Sequence, residues 1–474
     1  MDQPEQDPPQ SPTPPAKPPA PWNIPPSKEY AELRPLPSLG IVASAILLFW
    51  VPVAGLVFGI MTLSAAYRVI THPRGDGFAG VVAMIVGLGA TLLGLGSTFI
   101  GFAILSGSCP HVYSFDGQRF KLDADPLSGA LFAGAEREDW DRLEELRPVD
   151  GRYRLRVVNE LKEIDHIDAL SLQVVDHAPG TSVLPSPSGE LWPVAQAASL
   201  QAARDSHGRD IRPMLSEADG AAVIGQPADF ASTQSDPRER LTLTFPRPAG
   251  SRALLWLRAH STPFAEEAYV QYMATMGPGA GLLMRWAQSD TDYPYAKRVA
   301  DEARRLGLPL SVHSVGTGAV TEIGPIGPAI QRDFVVPVPL PPQGDTVTVE
   351  LLMTPLFWEV DLARLAPAPA APLVAQRVLP QSVQDGQGKD LLASVLSADG
   401  QRVRLHNSEY IEASFAAPPL QSGQERTVIL AIRGFYEMDF GGHAMLNPVA
   451  LLAHRLGYRS LPRFALRRAL EQVH

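Results

Sequence analysis

Two long uncharged stretches constrain the fold of this chain more than any other feature of its sequence. Residues 39–66 and residues 78–105 contain no charged side chain. A helix needs about 20 apolar residues to cross a hydrocarbon core about 30 Å thick, so both stretches are long enough to span a membrane. The short polar segment 68–77 connects them. The sequence therefore predicts a transmembrane helical hairpin at 39–105.

Glycine is frequent within both predicted spans. Gly55 and Gly59 are four residues apart, and Ser97 and Gly101 repeat that spacing. Small residues in this spacing let two helices approach closely in lipid. We favour packing of the hairpin on itself, and the alternative is a homodimer formed through the glycine-rich spans.

The first 40 residues contain 13 of the 46 prolines of the chain. Proline fixes φ and removes a backbone donor, so neither a helix nor a sheet ladder can form here. Residues 1–38 are therefore predicted to be a disordered, proline-rich leader. Its PxxP spacings can dock a partner that binds polyproline, but a plain flexible leader is the favoured interpretation.

After Cys109 the pattern changes to short strands that alternate apolar and polar residues. Asp116-Gly117 has the composition of a two-residue hairpin turn between 112-VYSF-115 and 118-QRFKL-122. Further strand patterns follow as far as residue 434, and one strongly helical stretch lies at about 264–305. Many short strands favour a mainly-β sandwich over a βαβ fold.

Two segments of the chain repeat each other at an offset of 180 residues. They are 205-DSHGRDIRPMLSEADG-220 and 385-DGQGKDLLASVLSADG-400, which share the pattern D-x-x-G-[RK]-D. The flanking strands 167-IDALSL-172 and 360-VDLARL-365 also match. The repeated motif is predicted to be a turn, because a calcium loop would need more oxygen ligands at fixed steps.

The repeat predicts a tandem β-sandwich with a helical insert. Its predicted units, in chain order, are β-sandwich unit 1 at 109–262, the helical insert at 263–332, β-sandwich unit 2 at 333–440 and a basic helical tail at 441–474. Arginines in the tail are spaced by four residues. The tail is expected to lie on anionic headgroups or to pack on the acidic body.

Charge and motif searches exclude several functions. Residues 109–442 carry a net charge of −13, which disfavours nucleic-acid binding. One cysteine excludes internal disulfides and multi-cysteine metal sites. Nucleophile-elbow, zinc-protease and phosphate-loop motifs are absent from the sequence. We therefore predict no catalytic, cofactor or metal residue.

Two features have alternative interpretations. The acidic run 136-EREDWDRLEEL-146 is favoured as a solvated loop or short helix with Trp140, Leu143 and Leu146 turned inward. The wider segment 123–145 can instead supply paired carboxylates for acid–base chemistry. Trp358 is a candidate ligand contact that can stack on a sugar ring, although a core anchor is the favoured role.

Several segments resemble parts of bacterial envelope proteins. Residues 39–105 resemble a small, two-span, glycine-rich membrane domain that follows a proline-rich leader. The strand pair at 347–365 is similar to jelly-roll, galactose-binding-like sandwiches. Residues 109–180 resemble a bacterial surface domain of unknown function through 109-CPHVYSFDG-117, 122-LDADPLSGALF-132, 147-RPVDGRYRLRVVNEL-161 and 176-DHAPG-180. The resemblance implies export and brings no catalytic residues.

The sequence gives only a weak signal for the side of the membrane on which the β-domain lies. Two spans place both chain ends on one side, and Lys and Arg near the spans are too evenly divided to decide. Cys109 follows 103-AILSGS-108 and is a candidate lipid-attachment residue. Together with the resemblance, this favours an extracytoplasmic domain on a multi-pass protein of the cell membrane.

These observations predict a bacterial integral membrane protein that presents a β-sandwich binding or scaffolding domain at the cell envelope. Its expected partners are the lipid bilayer and an envelope protein or glycan, without nucleic acid and without a cofactor. The alternative is an envelope hydrolase that uses acidic residues of 123–145.

Overall fold

A computed structural model of the protein describes residues 110–131, 133–161, 163–225, 238–277, 301–438, 447–456 and 460–472. The chain separates into two compact units, Met1–Ile100 and Gly101–His474, and every described residue belongs to the second unit. The leader 1–38, the predicted spans and Cys109 lie outside the described residues. Within the described ranges, no helix is both long enough and apolar enough to cross a membrane.

Strands dominate the part of the chain that the structure describes. The first eleven are β1 (His111–Phe115), β2 (Phe120–Ala124), β3 (Arg137–Arg142), β4 (Arg152–Val158), β5 (Glu163–His177), β6 (Ser182–Pro185), β7 (Leu191–Val194), β8 (Ala202–Arg204), β9 (Val223–Ile224), β10 (Glu239–Pro246) and β11 (Arg252–Ser261). The remaining ten are β12 (Leu310–Ser314), β13 (Ala319–Ile323), β14 (Arg332–Pro339), β15 (Thr346–Met353), β16 (Trp358–Pro367), β17 (Gln376–Val378), β18 (Pro380–Asp385), β19 (Val403–Leu405), β20 (Tyr410–Ala416) and β21 (Glu425–Met438).

These strands form five sheets, four of which build two β-sandwiches. The outer sandwich joins the sheet β18-β20-β4-β1-β2 to the sheet β17-β5-β21-β3, where β19 also pairs with β5. The inner sandwich joins β13-β12-β15-β10-β8 to β14-β11-β16-β9. Both sheets of each sandwich contribute to one apolar core. Leu155 and Leu430 share the outer core, and Leu243 and Leu257 share the inner core.

The fifth sheet is the two-stranded hairpin of β6 and β7, which we call the bridging hairpin. Val183 on one of its faces packs with Ile429 of the outer sandwich. Trp192 on the other face packs with Val335 of the inner sandwich. The bridging hairpin therefore contributes apolar contacts to both sandwiches.

Burial follows the sequence pattern of each strand. β10 alternates: Leu241, Leu243 and Phe245 are fully buried, and Thr242 and Thr244 between them are partly exposed. β11 is apolar almost throughout, because Leu255 faces the inner core while Leu254 packs with the bridging hairpin. A strand covered on both faces loses the alternation that marks a half-exposed strand.

The predicted fold class, a two-helix transmembrane hairpin with a tandem β-sandwich, is wrong for the described chain. That chain is mainly β, without a helix fit to span a membrane, and its sandwiches are not consecutive. β5 pairs with β21 along fourteen residues of β21, from Glu425 opposite His177 to Met438 opposite Glu163. The inner sandwich, from β8 to β16, is thus inserted between the two halves of the outer sandwich. Hydrophobic patterning shows which residues face a core, but it does not show which strands pair.

The chain contains two repeats, β1 to β11 and β12 to β21, and each sandwich takes one half of its strands from each repeat. β1 to β5 correspond to β12 to β16, and β18 to β21 correspond to β8 to β11, by strand order in the sheets. The same bulge interrupts β11 after Arg258 and β21 after Arg433. Each repeat therefore completes its sandwich with strands of the other repeat.

The repeated motif forms the predicted turn in both copies. Asp205 and Asp385 each accept backbone hydrogen bonds two and four residues later, and Gly208 and Gly388 have φ of +76° and +83°. The end of each motif is bound by the neighbouring sheet. Asp361 Oδ1 accepts from Gly220 N at 3.0 Å, and Asp168 Oδ1 accepts from Gly400 N at 2.9 Å.

The predicted hairpin of β1 and β2 is present, with a longer connection than expected. Phe115 pairs with Phe120, so four residues connect the strands in place of two. Gly117 supplies a φ of +103°. Asp116 Oδ1 accepts from Gln118 N at 2.8 Å and from Arg119 N at 2.9 Å, which stabilises the wider loop.

Helices lie beside the inner sandwich. They are α1 (Arg212–Leu215), α2 (Pro263–Ala274), α3 (Pro448–Arg455) and α4 (Leu461–Gln472). The α2 N-cap Thr262 accepts from Ala265 N, and the α3 N-cap Asn447 accepts from Ala450 N. Tyr272 of α2 stacks edge-on against Phe464 of α4, and its hydroxyl lies 2.6 Å from His454 Nδ1. The described part of the expected helical insert 263–332 contains α2 and also the β12–β13 hairpin.

Candidate functional site

The acidic run forms a buried strand at the junction of the two sandwiches. β3 pairs with β21, and its burial alternates so that Asp139 and Asp141 face inward with 8% and 3% exposure. The favoured solvated loop or helix is therefore wrong for these two carboxylates. Leu143 and Leu146 are buried, and Trp140 is half-buried against Gly189 of the bridging hairpin.

Arg332 of the inner sandwich reaches into this acidic surface of the outer sandwich. Its Nη1 donates to Asp139 Oδ1 at 2.9 Å, and its Nη2 donates to Asp141 Oδ2 at 2.7 Å. Its Nε also forms an ion pair with Asp141 Oδ1. The guanidinium thereby joins β14 to β3 by charge-assisted hydrogen bonds, which are stronger than neutral ones.

Arg137 holds the same position in the outer sandwich that Arg332 holds in the inner one, since each opens its strand. Arg137 Nη2 donates to Ser128 O at 2.7 Å and to Pro325 O at 3.4 Å, and lies 3.2 Å from Asp139 Oδ2. Its contact with Pro325 crosses to the inner sandwich. We call Asp125, Asp139, Asp141, Arg137 and Arg332 the junction cluster.

Asp125 provides a third connection across the junction. It is 1% exposed, and its Oδ2 accepts from Ala329 N of the inner sandwich at 2.6 Å. A Cβ at Gly327 would lie 2.1 Å from Asp125 Cγ, so only glycine fits there.

The carboxylates of the junction cluster titrate in different ranges. Burial raises the pKa of Asp125 to about 6, against the opposing charge of Arg332. Burial also raises the pKa of Asp141, and the neighbouring Asp139 adds to that rise. Burial acts on Asp139 in the same direction, but Arg332 and Arg137 outweigh it and lower its pKa to about 2. The environments therefore favour a proton on Asp125 or Asp141 over one on Asp139.

A polar cavity of about 200 Å³, the junction pocket, opens beside this cluster. The charged residues of its wall are Asp123, Asp125, Asp141, Arg142, Glu144 and Glu145 from the outer sandwich and Arg258, Arg332 and Asp333 from the inner sandwich. Asp123 is held in place because its Oδ1 accepts from Glu144 N at 2.9 Å. The pocket can thus offer both hydrogen-bond acceptors and guanidinium donors to a small polar ligand.

Residues singled out from the sequence lie elsewhere. Trp358 is fully buried, and its Nε1 donates to Leu308 O at 2.9 Å, so its ring has no surface on which a sugar could stack. Cys109 lies outside the described residues.

Sequence reasoning missed the arginine of the junction. Arg332 lies about 190 residues beyond the acids that it contacts, so no spacing motif joins them. The available signal was the alternation of 137-REDWDR-142, which places Asp139 and Asp141 on one face of a strand. Two carboxylates on a buried face require a cationic partner.

No protein-family profile matches the chain, and no curated protein matches it. Among solved structures, the chain is similar to a GH31 alpha-xylosidase from Xanthomonas citri, with 10% identity, a TM-score of 0.17 and coverage of 69% of this chain. The chain spans 28% of that enzyme. It is also similar to a triple jelly roll protein of an archaeal virus, with 9% identity, a TM-score of 0.13 and coverage of 70% of this chain and 90% of that one. At such TM-scores neither similarity bears on fold or function.

Proposed function

We propose that the protein is a binding module whose two interlocked sandwiches hold a small polar ligand in the junction pocket. The observation that carries this proposal is the polar wall of that pocket, to which each sandwich contributes both carboxylates and guanidinium groups. Sugar hydroxyls match a wall of this kind, since each hydroxyl both donates and accepts. A glycan of the cell envelope is therefore the favoured ligand class.

Rigidity of the junction supports a binding role. Asp125, Asp139 and Asp141 are engaged by Ala329 N and by Arg332, so their geometry is fixed before any ligand arrives. Preorganised polar groups lower the cost of binding, because less conformational freedom is lost. Glu145 is more exposed than these three, and its side chain lines the pocket wall, where its Oε2 accepts from Lys121 Nζ at 2.8 Å.

The test is a titration of the full-length protein with a panel of neutral mono- and oligosaccharides, followed by saturation-transfer NMR. Glu145→Gln should weaken binding of any sugar that saturates the protein by about tenfold. Glu350→Gln is the matched control, because Glu350 pairs with Arg240 on the inner sandwich away from the pocket. Failure of every sugar to bind, or equal effects of the two variants, would refute the proposal.

A hydrolase using acidic residues of 123–145 is the second candidate. It is supported by Asp125, whose pKa of about 6 suits a general acid near neutral pH. Chromogenic glycosides and esters should then be turned over with a pH profile that falls as Asp125 ionises. Asp125→Asn should abolish turnover while the melting temperature shows that the chain is still folded. Lack of turnover between pH 4 and 9 would exclude this candidate.

We further propose that the uncharged stretches 39–66 and 78–105 attach the protein to the cell membrane, with the two β-sandwiches on the extracytoplasmic side. The protein should stay with membranes after carbonate extraction, and a phosphatase fused after His474 should be active in intact cells. Labelling of Cys109 by a thiol reagent only after lysis would contradict the orientation. Release by carbonate would contradict the attachment.

A further inference from the structure

A second group of polar side chains lies in the inner sandwich, away from the junction pocket. Asp205 and His207 belong to the first copy of the repeated turn, which follows β8, and Glu239 opens β10. One ligand atom from each of the three side chains lies within 4.8 Å of the others. β8 pairs with β10, which brings the turn and Glu239 together across 34 residues of sequence.

Glu239 has an oxygen that the protein leaves unsatisfied. The residue is 1% exposed, and its Oε1 accepts from Ser206 N at 3.0 Å and from Ser206 Oγ at 2.6 Å. Its Oε2 is buried and has no hydrogen-bond partner among the described residues. A buried carboxylate oxygen without a partner is unfavourable, so a bound cation would supply what the protein does not.

Comparison with the second copy shows that the turn forms without the candidate metal ligands. Asp385 accepts from Gln387 N and Lys389 N at 2.9 Å each, as Asp205 accepts from His207 N and Arg209 N at 2.9 Å each. The turn therefore needs only its aspartate. In the second copy, however, glutamine replaces the histidine at position 387.

The surroundings of the second turn also differ. A Cβ on Gly386 would lie 3.0 Å from the Tyr410 ring, so an aromatic side chain occupies the side of the turn where the first copy has Ser206 and Glu239. The three donors are thus a property of the first copy alone, although both copies fold alike.

The neighbouring guanidinium of Arg209 does not prevent a cation from binding at Asp205. Arg209 Nε contacts Asp205 Oδ2 at 2.5 Å, but its side chain is 51% exposed. An exposed arginine in an ion pair of this kind contributes little and can turn into solvent when a metal displaces it. Asp205 itself is 8% exposed, so it stays in place.

We propose that Asp205, His207 and Glu239 bind one divalent first-row transition-metal ion, with zinc as the best match. One imidazole nitrogen and two carboxylate oxygens are a ligand set for such ions, and water completes the coordination. The ion neutralises Glu239 and ties the turn to the first residue of β10. The site needs no ligand from the second repeat.

The experiment is calorimetric titration of the full-length, EDTA-treated protein with ZnCl₂, repeated with CoCl₂ to record the visible absorption of bound cobalt. We expect one saturable site and a rise in melting temperature with zinc. His207→Gln copies the residue of the second turn and should weaken zinc binding at least tenfold. Glu239→Gln should do the same and should remove the cobalt absorption.

Two controls make the result decisive. His406→Gln removes an exposed histidine outside the site and should leave zinc affinity unchanged. Gln387→His adds a histidine to the second turn, where the equivalent glutamate, Glu409, is exposed and its Oε2 accepts from His406 N, and should create no second site. Absence of a saturable site in the native chain would overturn the proposal. So would equal zinc affinities of the His207→Gln and His406→Gln variants, a comparison that does not depend on how Glu239→Gln folds.

Discussion

In the inner sandwich β16 opens with Trp358, and in the outer sandwich the equivalent position of β5 is Asp165. The equivalence follows from the shared bulge, which aligns Trp358 opposite Ser261 with Asp165 opposite Tyr436. Both side chains are fully buried. One is a large apolar ring, and the other is a carboxyl group whose pKa burial raises to about 8.

This difference shows which features the duplicated fold needs. Both sandwiches keep the strand order, the bulge and the hydrogen bond that an aspartate accepts from the N–H of the glycine that ends the repeated turn. The side chain at the start of the central strand is free to change from tryptophan to aspartate. The hydrogen bonds that involve the backbone are therefore the same in both sandwiches, whereas the side chains at equivalent buried positions differ.

The largest expected effect comes from the two arginines that open β3 and β14. Arg332→Met leaves Asp139 and Asp141 buried without their main cation, so the free energy of unfolding should fall by about 3–5 kcal/mol. Arg137→Met should cost about 1 kcal/mol, because Arg137 is more exposed and Arg332 still neutralises Asp139. Urea unfolding of the full-length variants at pH 7 measures both. Equal losses would mean that the junction depends on Arg332 no more than on Arg137.

The next effect is a pH dependence specific to the outer sandwich. Because burial raises the folded-state pKa of Asp165 above its unfolded value, the folded state holds a proton that the unfolded state has lost. Stability should therefore fall with rising pH between about 4 and 8, by up to about 1.4 kcal/mol per pH unit. Asp165→Asn should remove this contribution and make the slope shallower, leaving the part that comes from Asp125 and Asp141, and should raise stability at pH 7.

The measurement is urea unfolding at pH 5, 6, 7 and 8 for the native chain and for Asp165→Asn. The neighbouring Glu163 opposes the rise in the pKa of Asp165, so Glu163→Gln should extend the fall in stability to higher pH. If the native chain and Asp165→Asn show parallel pH profiles, Asp165 is ionised in the folded protein and the contrast with Trp358 is lost.

The smallest effect concerns the links that the two sandwiches share. Asp361→Asn weakens the contact with Gly220 N, and Asp168→Asn weakens the contact with Gly400 N. Each should cost about 1 kcal/mol in the free energy of unfolding. Thermal unfolding of the two variants side by side tests this. A much larger loss for Asp168 would show that its ion pair with Arg433, and not the shared link, dominates there.

Local structure could be predicted where the residues that determine it lie close together in the sequence. Asp-Gly at 116–117 marked the first hairpin, and the repeated D-x-x-G-[RK]-D motif marked two turns. Alternation in β10 identified its buried face. In each case the residues that determine the structure lie within a few positions of one another.

The exchange of strands between the two repeats could not be predicted in the same way. The pattern of β5 is compatible with any partner that offers an apolar face, and its actual partner β21 starts about 250 residues later. The same distance hid the junction cluster, whose acids and arginine come from different repeats. Glu239 was overlooked because its partners lie in a turn 33 residues before it.

Insertion of one sandwich within the other has a consequence for biosynthesis. When β5 leaves the ribosome, its partner β21 has not been made, and at about 5–20 residues per second the wait is roughly 12–50 s. During that interval the nascent chain exposes unpaired strand edges. The inner sandwich, whose strands are all contained within the interruption, can close first and then present β14 as the surface on which the two separated halves meet.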